Sequence, residues 1–208
     1  MRTILLGVVM ACLITACGAP AAPSPAPTPA PTTSAAPQAI GPAEIPDLQA
    51  RWWTWAASNP TPTNPVSDTT GAHCAEHQQA DLWLVAGSFG EVVSRRCTVP
   101  AGVPLAGPVV NLVSDGAGCA AFMAPATGEV LLDGERQAVV RLGPAPITFT
   151  AVAGNPVVDG SGRFDGVACG LWFALPPLSF GEHTLKITGG SGTFALNVTV
   201  ELAVAART

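Results

Sequence analysis

Apolar and polar positions divide this chain into four kinds of stretch. Ile4 to Ile14 is a continuous apolar run behind the single charge of Arg2. It is too short to cross a bilayer as a stable helix and has the make-up of an export signal. Gly18 to Gly41 is almost entirely Ala, Pro, Ser and Thr and carries no charge. Such a segment has little to bury, and its prolines favour extended polyproline II. Only one later stretch has helical spacing. Everything after it is a series of short apolar runs separated by Gly, Asp and Pro.

The helical stretch starts at Pro46-Asp47. Leu48, Trp52, Trp55 and Ala56 then recur on one face, which predicts a short amphipathic helix. Pro60 disfavours helix at Asn59 and ends it there. Burial accounts for that face as a plug on one end of a β core. Trp53 falls off the face and is left over as a candidate platform for a sugar ring.

Downstream, Leu82 to Ala86 and Glu91 to Val99 are predicted as a hairpin around Gly87-Ser88-Phe89-Gly90. Leu105 to Val113 follows, with Asn111 at its polar end. Asp133-Gly134 is a strong turn signal between Glu129–Leu132 and Gln137–Leu142. Ile147 to Val152, Leu171 to Leu175, Thr184 to Thr188 and Thr193 to Val204 complete the strands, and residues 155–166 read as a Gly- and Asp-rich loop. Many short strands with regular turns predict a mainly β protein, an antiparallel β-sandwich of Ig-like or jelly-roll-like type with a short N-terminal helix.

Leu13-Ile14-Thr15-Ala16-Cys17-Gly18 resembles the lipobox of bacterial lipoproteins. That resemblance implies a signal peptide at residues 1–16, a lipidated Cys17 opening a linker at 17–41, and a domain at 42–208. The domain is then expected on the outer face of the bacterial cytoplasmic membrane, anchored through lipid.

Charge and cysteine change the picture in two ways. The net charge of −5 is dispersed, and Arg95-Arg96 is the only basic pair. It reads as a solvated strand edge, so no nucleic-acid partner is expected. Of the six cysteines, Cys12 would be discarded and Cys17 lipidated. Cys74, Cys97, Cys119 and Cys169 remain, and an exported chain is expected to pair them. Spacing alone permits three pairings; Cys74–Cys97 with Cys119–Cys169 is the favoured one.

Arg51-Trp52-Trp53-x-Trp55 leads into Asn64-Pro65-x-x-Asp68-x-Thr70-Gly71-x-x-Cys74 and then Gln78. Trp83-x-x-Ala86-Gly87-x-Phe89-Gly90, Cys97-x-Val99-Pro100-Ala101-Gly102 and Pro108-x-x-Asn111 follow. Together these resemble a family of small exported prokaryotic proteins of unknown function. The resemblance covers Arg51 to Asn111 and continues loosely to the Leu178-x-x-Gly181-x-His183-Thr184-Leu185 strand entry. It implies an exported β-rich domain and no particular reaction. His73, His77 and Cys169 depart from the family pattern, which weakens the support for the second disulfide.

The chemistry is sparse. His73 and His77 lie four apart, and a helical turn there would set both imidazoles on one face near Glu76 as a weak Zn or Cu site. Cys74 is expected in a disulfide, so a third fixed ligand is missing, and neither a metal nor a cofactor is expected. Gly87-Ser88-Phe89-Gly90 and Gly160-Ser161-Gly162 do not fit Gly-x-Ser-x-Gly, and His183 reads as a packing residue at a strand start. Asp159, Ser161 and Asp165 depart from the spacing of an EF-hand loop. The preferred reading is a binding or interaction module for a cell-envelope glycan or protein, using Trp53, Asp68, Gln78 and Asn111. The alternative is a cell-wall-active hydrolase built on Asp68, Glu76 and His77. No catalytic constellation stands out.

Overall fold

The computed structural model describes residues 41–206. The signal peptide, Cys17 and nearly all of the linker therefore lie outside the described residues. Helix α1 (Leu48–Ala56) precedes nine strands: β1 (Trp83–Leu84), β2 (Val92–Pro100), β3 (Leu105–Ser114), β4 (Thr127–Leu132), β5 (Glu135–Arg136), β6 (Val140–Ala151), β7 (Gly162–Leu175), β8 (Gly181–Ser191) and β9 (Phe194–Ala205). A second helix, α2 (Gly116–Met123), lies between β3 and β4.

The strands form two sheets, ordered β1-β3-β7-β6 and β2-β9-β8-β4-β5. Side chains alternate along a strand, so Leu105, Phe173 and Leu175 of the first sheet meet Leu185, Ile187, Val198 and Leu202 of the second in one core. The opposite face of the first sheet is covered too. Trp172 and Ala168 of β7 point there and pack beneath Leu48, Trp52, Trp53 and Ala56 of α1. Burial on both faces is why residues 168–173 of β7 are buried without a break. The protein is thus a mainly β sandwich whose short helix forms a third layer over one sheet instead of plugging an end.

Trp53, the leftover of the helical pattern, is only 7 % exposed. Its ring lies edge-on to Trp52 at 5.3 Å and 5.8 Å from Phe149 of β6. The apolar arc of α1 is wider than four positions because the helix packs on a broad sheet.

The predicted Leu82–Val99 hairpin does not form. β1 pairs parallel with β3, and β2 pairs parallel with β9 in the other sheet. The tight-turn residues Gly87 to Gly90 carry the chain from one sheet to the other. Arg95 holds that crossing and is no solvated edge residue: it is 3 % exposed. Its guanidinium donates to the carbonyls of Asp68 (2.5 Å), Ala86 (3.0 Å), Gly87 (2.9 Å) and Val66 (3.1 Å). Arg96 alone is exposed, paired with Glu182 of β8 at 3.2 Å.

The Asp133-Gly134 turn joins β4 to β5, but β5 ends after two residues and the chain leaves for the other sheet as β6. Cys74–Cys97 and Cys119–Cys169 are the disulfides, as favoured. The second fastens α2, which the strand reading missed, onto β7. Asp115 caps α2 by accepting from Gly118 N at 2.7 Å. Two glycines in the eight residues of α2 hide its helical character from propensity.

Candidate functional site

β3 is longer than its neighbour β1. Their pairing stops at Leu84 opposite Ala106, and beyond that point β3 keeps only β7 beside it. A register shift between Pro108 and Val110 interrupts the β3–β7 pairing within this length, as a bulge does. A cleft of about 210 Å³ lies there, with Pro108, Val109, Val110 and Asn111 of β3 on one side. Trp52 and Trp53 of α1, Phe194 and Leu196 of β9 and the Gly87–Phe89 crossing supply the other walls.

The walls are held firmly. Trp52 Nε1 donates to Val85 O at 2.9 Å, tying α1 to the segment after β1. Ser88 Oγ donates to Glu91 O at 2.9 Å and so fixes the crossing, leaving Phe89 exposed. Arg95 adds its bonds to Ala86 and Gly87 from below. Burial pulls the Arg95 guanidinium down to about 10, with Asp68 and Glu91 opposing the shift. It remains charged at neutral pH.

Two polar groups in this lining have no protein partner. The indole N–H of Trp53 and the Nδ2 of Asn111 are buried and unpaired, as is Nε1 of Trp172 deeper under α1. Buried donors are normally satisfied. Trp52 and Trp55 show the ordinary case, since each donates its N–H to a backbone carbonyl. The cleft is thus largely apolar, and Trp53 and Asn111 line it while their unpaired nitrogens are themselves shielded from solvent.

Two of the four residues expected to bind therefore line one cleft, Trp53 and Asn111. The other two are committed elsewhere. The Asp68 carboxylate accepts from Thr70 N, Thr70 Oγ1 and His73 N, each at 2.8 Å. Burial would raise its pKa, but the His73 and Thr70 donors outweigh that and hold it below the usual carboxylate range. Gln78 pairs with β1 like a strand neighbour: Leu84 N donates to its Oε1 at 2.7 Å and its Nε2 donates to Leu84 O at 2.8 Å. The side chain covers the outer edge of that short strand.

The His73–His77 segment is a run of turns, not a helix, and His77 sits at φ 51°. The geometry proposed for a metal pair is therefore absent, and among the described residues no group of three His, Cys, Asp or Glu gathers around a metal position. Among the described residues, Asp68, Glu76 and His77 make no hydrogen bond to one another.

One polar cluster was not anticipated. His183, read as a packing residue, has Nδ1 2.6 Å from Asp133 Oδ2 and Nε2 3.2 Å from Ser179 Oγ. Asp133 Oδ1 accepts from Thr184 N at 2.8 Å, which fixes the carboxylate. The hydrogen bond to Asp133 raises the His183 pKa above its ordinary value, and the same bond lowers that of Asp133. The four-residue spacing of Ser179 and His183 was visible in the sequence. Nothing local tied them to Asp133, which lies fifty positions before His183.

Comparison with protein-family models, with curated proteins and with solved structures finds no match to this chain.

Proposed function

We propose that the chain is a lipid-anchored, extracytoplasmic binding module whose cleft holds the end residue of a cell-envelope glycan. The observation that carries this reading is an apolar cleft lined by Trp53 and Asn111, whose buried Nε1 and Nδ2 have no protein partner. A sugar ring combines an apolar face for Trp52, Trp53 and Phe89 with oxygens and acetamido carbonyls that accept hydrogen bonds. At about 210 Å³ the cleft falls below the ~300–1,000 Å³ of pockets for drug-sized ligands. That size suits one ring of a chain end. The signal-like apolar run and the lipobox-like sequence support a location where these glycans occur.

The test is isothermal titration of the full chain with N-acetylglucosamine and with short peptidoglycan fragments. Saturable binding that weakens about tenfold in Asn111→Ala supports the reading. Equal binding by wild type and Asn111→Ala, or no binding to any fragment, contradicts it. Retention of an envelope protein by the same surface would replace the glycan with a protein partner.

A further inference from the structure

We propose that Ser179, His183 and Asp133 form a second, separate site, an acyl-transfer centre that hydrolyses short carboxylic esters through a Ser179-bound acyl intermediate. The site does not depend on the cleft. His183 pairs with Leu202 in β8–β9, whereas the cleft residue Phe194 pairs with Ser191. Eight strand residues separate these positions, roughly 27 Å.

The geometry assigns each group a role. In the neutral ring with its proton on Nδ1 toward Asp133, the Nε2 lone pair faces Ser179 Oγ at 3.2 Å. Asp133 acts through the histidine and is a positioning residue. It is itself fixed by Thr184, accepting from Thr184 N and donating its own N–H to Thr184 O at 2.8 Å. Ser179 is exposed. The backbone N–H groups of Ser179 and Phe180 make no hydrogen bond among the described residues. We assign these two N–H groups to a developing oxyanion. Phe180, 71 % exposed, offers an apolar surface to the acyl chain. Ser179 and Phe180 are both exposed, so the proposed acyl group is short and is carried on a larger molecule that approaches an open surface.

In the first step Ser179 Oγ bonds to the ester carbonyl carbon while Nε2 takes the Oγ proton, and the carbonyl electron pair moves onto oxygen. That pair returns as the C–O bond to the alcohol breaks, and the leaving alkoxide takes the proton from Nε2. Water then attacks the acyl-serine and gives its proton to Nε2. Collapse releases the carboxylic acid, and Oγ recovers the proton. The sum is ester plus water to acid plus alcohol.

A purely structural clip is the competing account, because His183 Nε2 also lies 3.1 Å from Ser179 O. A protonated ring donates to that carbonyl; a neutral ring accepts from Oγ. The charged groups facing the ring are Asp133 from the β4–β5 turn and Glu182 beside it, itself paired with Arg96 of β2. The clip and the base are thus two protonation states of one histidine.

The experiment treats the purified full chain with a fluorophosphonate probe, maps adducts by peptide mass spectrometry, and follows hydrolysis of p-nitrophenyl acetate. The expected result is an adduct on Ser179 and on no other serine. Ser179→Ala should lose both signals with an unchanged melting temperature. His183→Gln should lower labelling and hydrolysis by about 10² or more. Asp133→Asn should shift the midpoint of the labelling–pH profile down toward the ordinary histidine range. An unlabelled Ser179, or labelling unaltered by His183→Gln, overturns the proposal. If His183→Gln fails to fold, the wild-type profile decides: labelling that rises through one histidine titration supports the centre, and a flat profile overturns it.

Discussion

The two ends of the β8–β9 strand pair handle their polar groups in opposite ways. At the Phe194 end, donors of Trp53 and Asn111 are buried and unmet beside an apolar cleft. At the Leu202 end, Ser179, His183 and Asp133 satisfy one another at the surface. The first arrangement carries a cost, which in the proposed binding role a ligand's acceptor would offset. The second leaves each of its side chains with a hydrogen-bond partner, the alignment on which the proposed acyl-transfer role rests. The same sandwich thus carries two proposed sites, one defined by what it lacks and one by what it has aligned.

The largest expected effect comes from breaking the wall of the cleft end. Arg95→Met leaves the carbonyls of Val66, Asp68, Ala86 and Gly87 without their buried donor. A loss of about 4 kcal/mol is expected, since each buried carbonyl left unpaired costs ~1–3 kcal/mol and the losses are not additive. Urea unfolding should show a lower midpoint at constant slope. A loss below about 1 kcal/mol would mean that the crossing is held by something else. Next is the double variant Cys74→Ala/Cys97→Ala, which opens a loop with sequence separation 23. About 3 kcal/mol should be lost, by the same measurement.

A smaller change sharpens the contrast. Trp53→Phe keeps an aromatic ring against Trp52 and Phe149 but removes the unmet N–H. Ligand affinity should fall about tenfold while stability changes by less than about 1 kcal/mol. Trp53→Ala is a poorer probe, because truncating a buried Trp costs ~3–5 kcal/mol and confounds binding with folding. A Trp53→Phe variant that binds as well as wild type would remove the indole N–H from the account.

The smallest effect is at the other end. The folded pKa of His183 is raised, so its contribution to stability is complete below the unfolded value near 6.5 and is lost as pH rises through the folded value. Asp133 is lowered, so its contribution is present above 3.8 and is lost as pH falls through the folded value. Comparing Asp133→Asn with wild type should therefore show the largest stability gap near pH ~5–6, shrinking toward alkaline pH. Asp133 is about half exposed, so the gap should stay under about 1 kcal/mol. A gap that grows with pH would contradict the assigned directions.

Much of the fold was legible where local pattern and tertiary role agree. Leu48 to Ala56 forms a helix, and the alternating Thr193 to Val204 run forms the last strand. The errors share a cause: a strand's sheet is decided by distant partners. Val92–Pro100 pairs with β9 at the far end of the chain, and no turn residue near Gly90 records that. Arg95 read as exposed because charged residues usually are, yet four carbonyls from the crossing and the preceding loop make its burial possible. Trp53 and Asn111 stood out as polar or aromatic residues with no evident packing role, and both line the cleft. Asp68 and Gln78 stood out in the same way, but their side chains complete their own backbone turns and edges, a local role that the sequence cannot distinguish from a waiting ligand site. His183 was legible as a histidine at a strand entry; its alignment with Asp133 depends on β4 lying beside β8.

The most direct test of the binding account is a ¹H–¹⁵N NMR titration that follows the five tryptophan indole signals, with Trp53 assigned through Trp53→Phe. The ligand series is N-acetylglucosamine followed by short peptidoglycan fragments. The account predicts a saturable downfield shift of the Trp53 indole proton, with Trp55 unmoved because its N–H already donates to Glu76 O at 2.8 Å. A Trp53 signal that stays fixed while another indole responds, or no saturable change with any fragment, would contradict it.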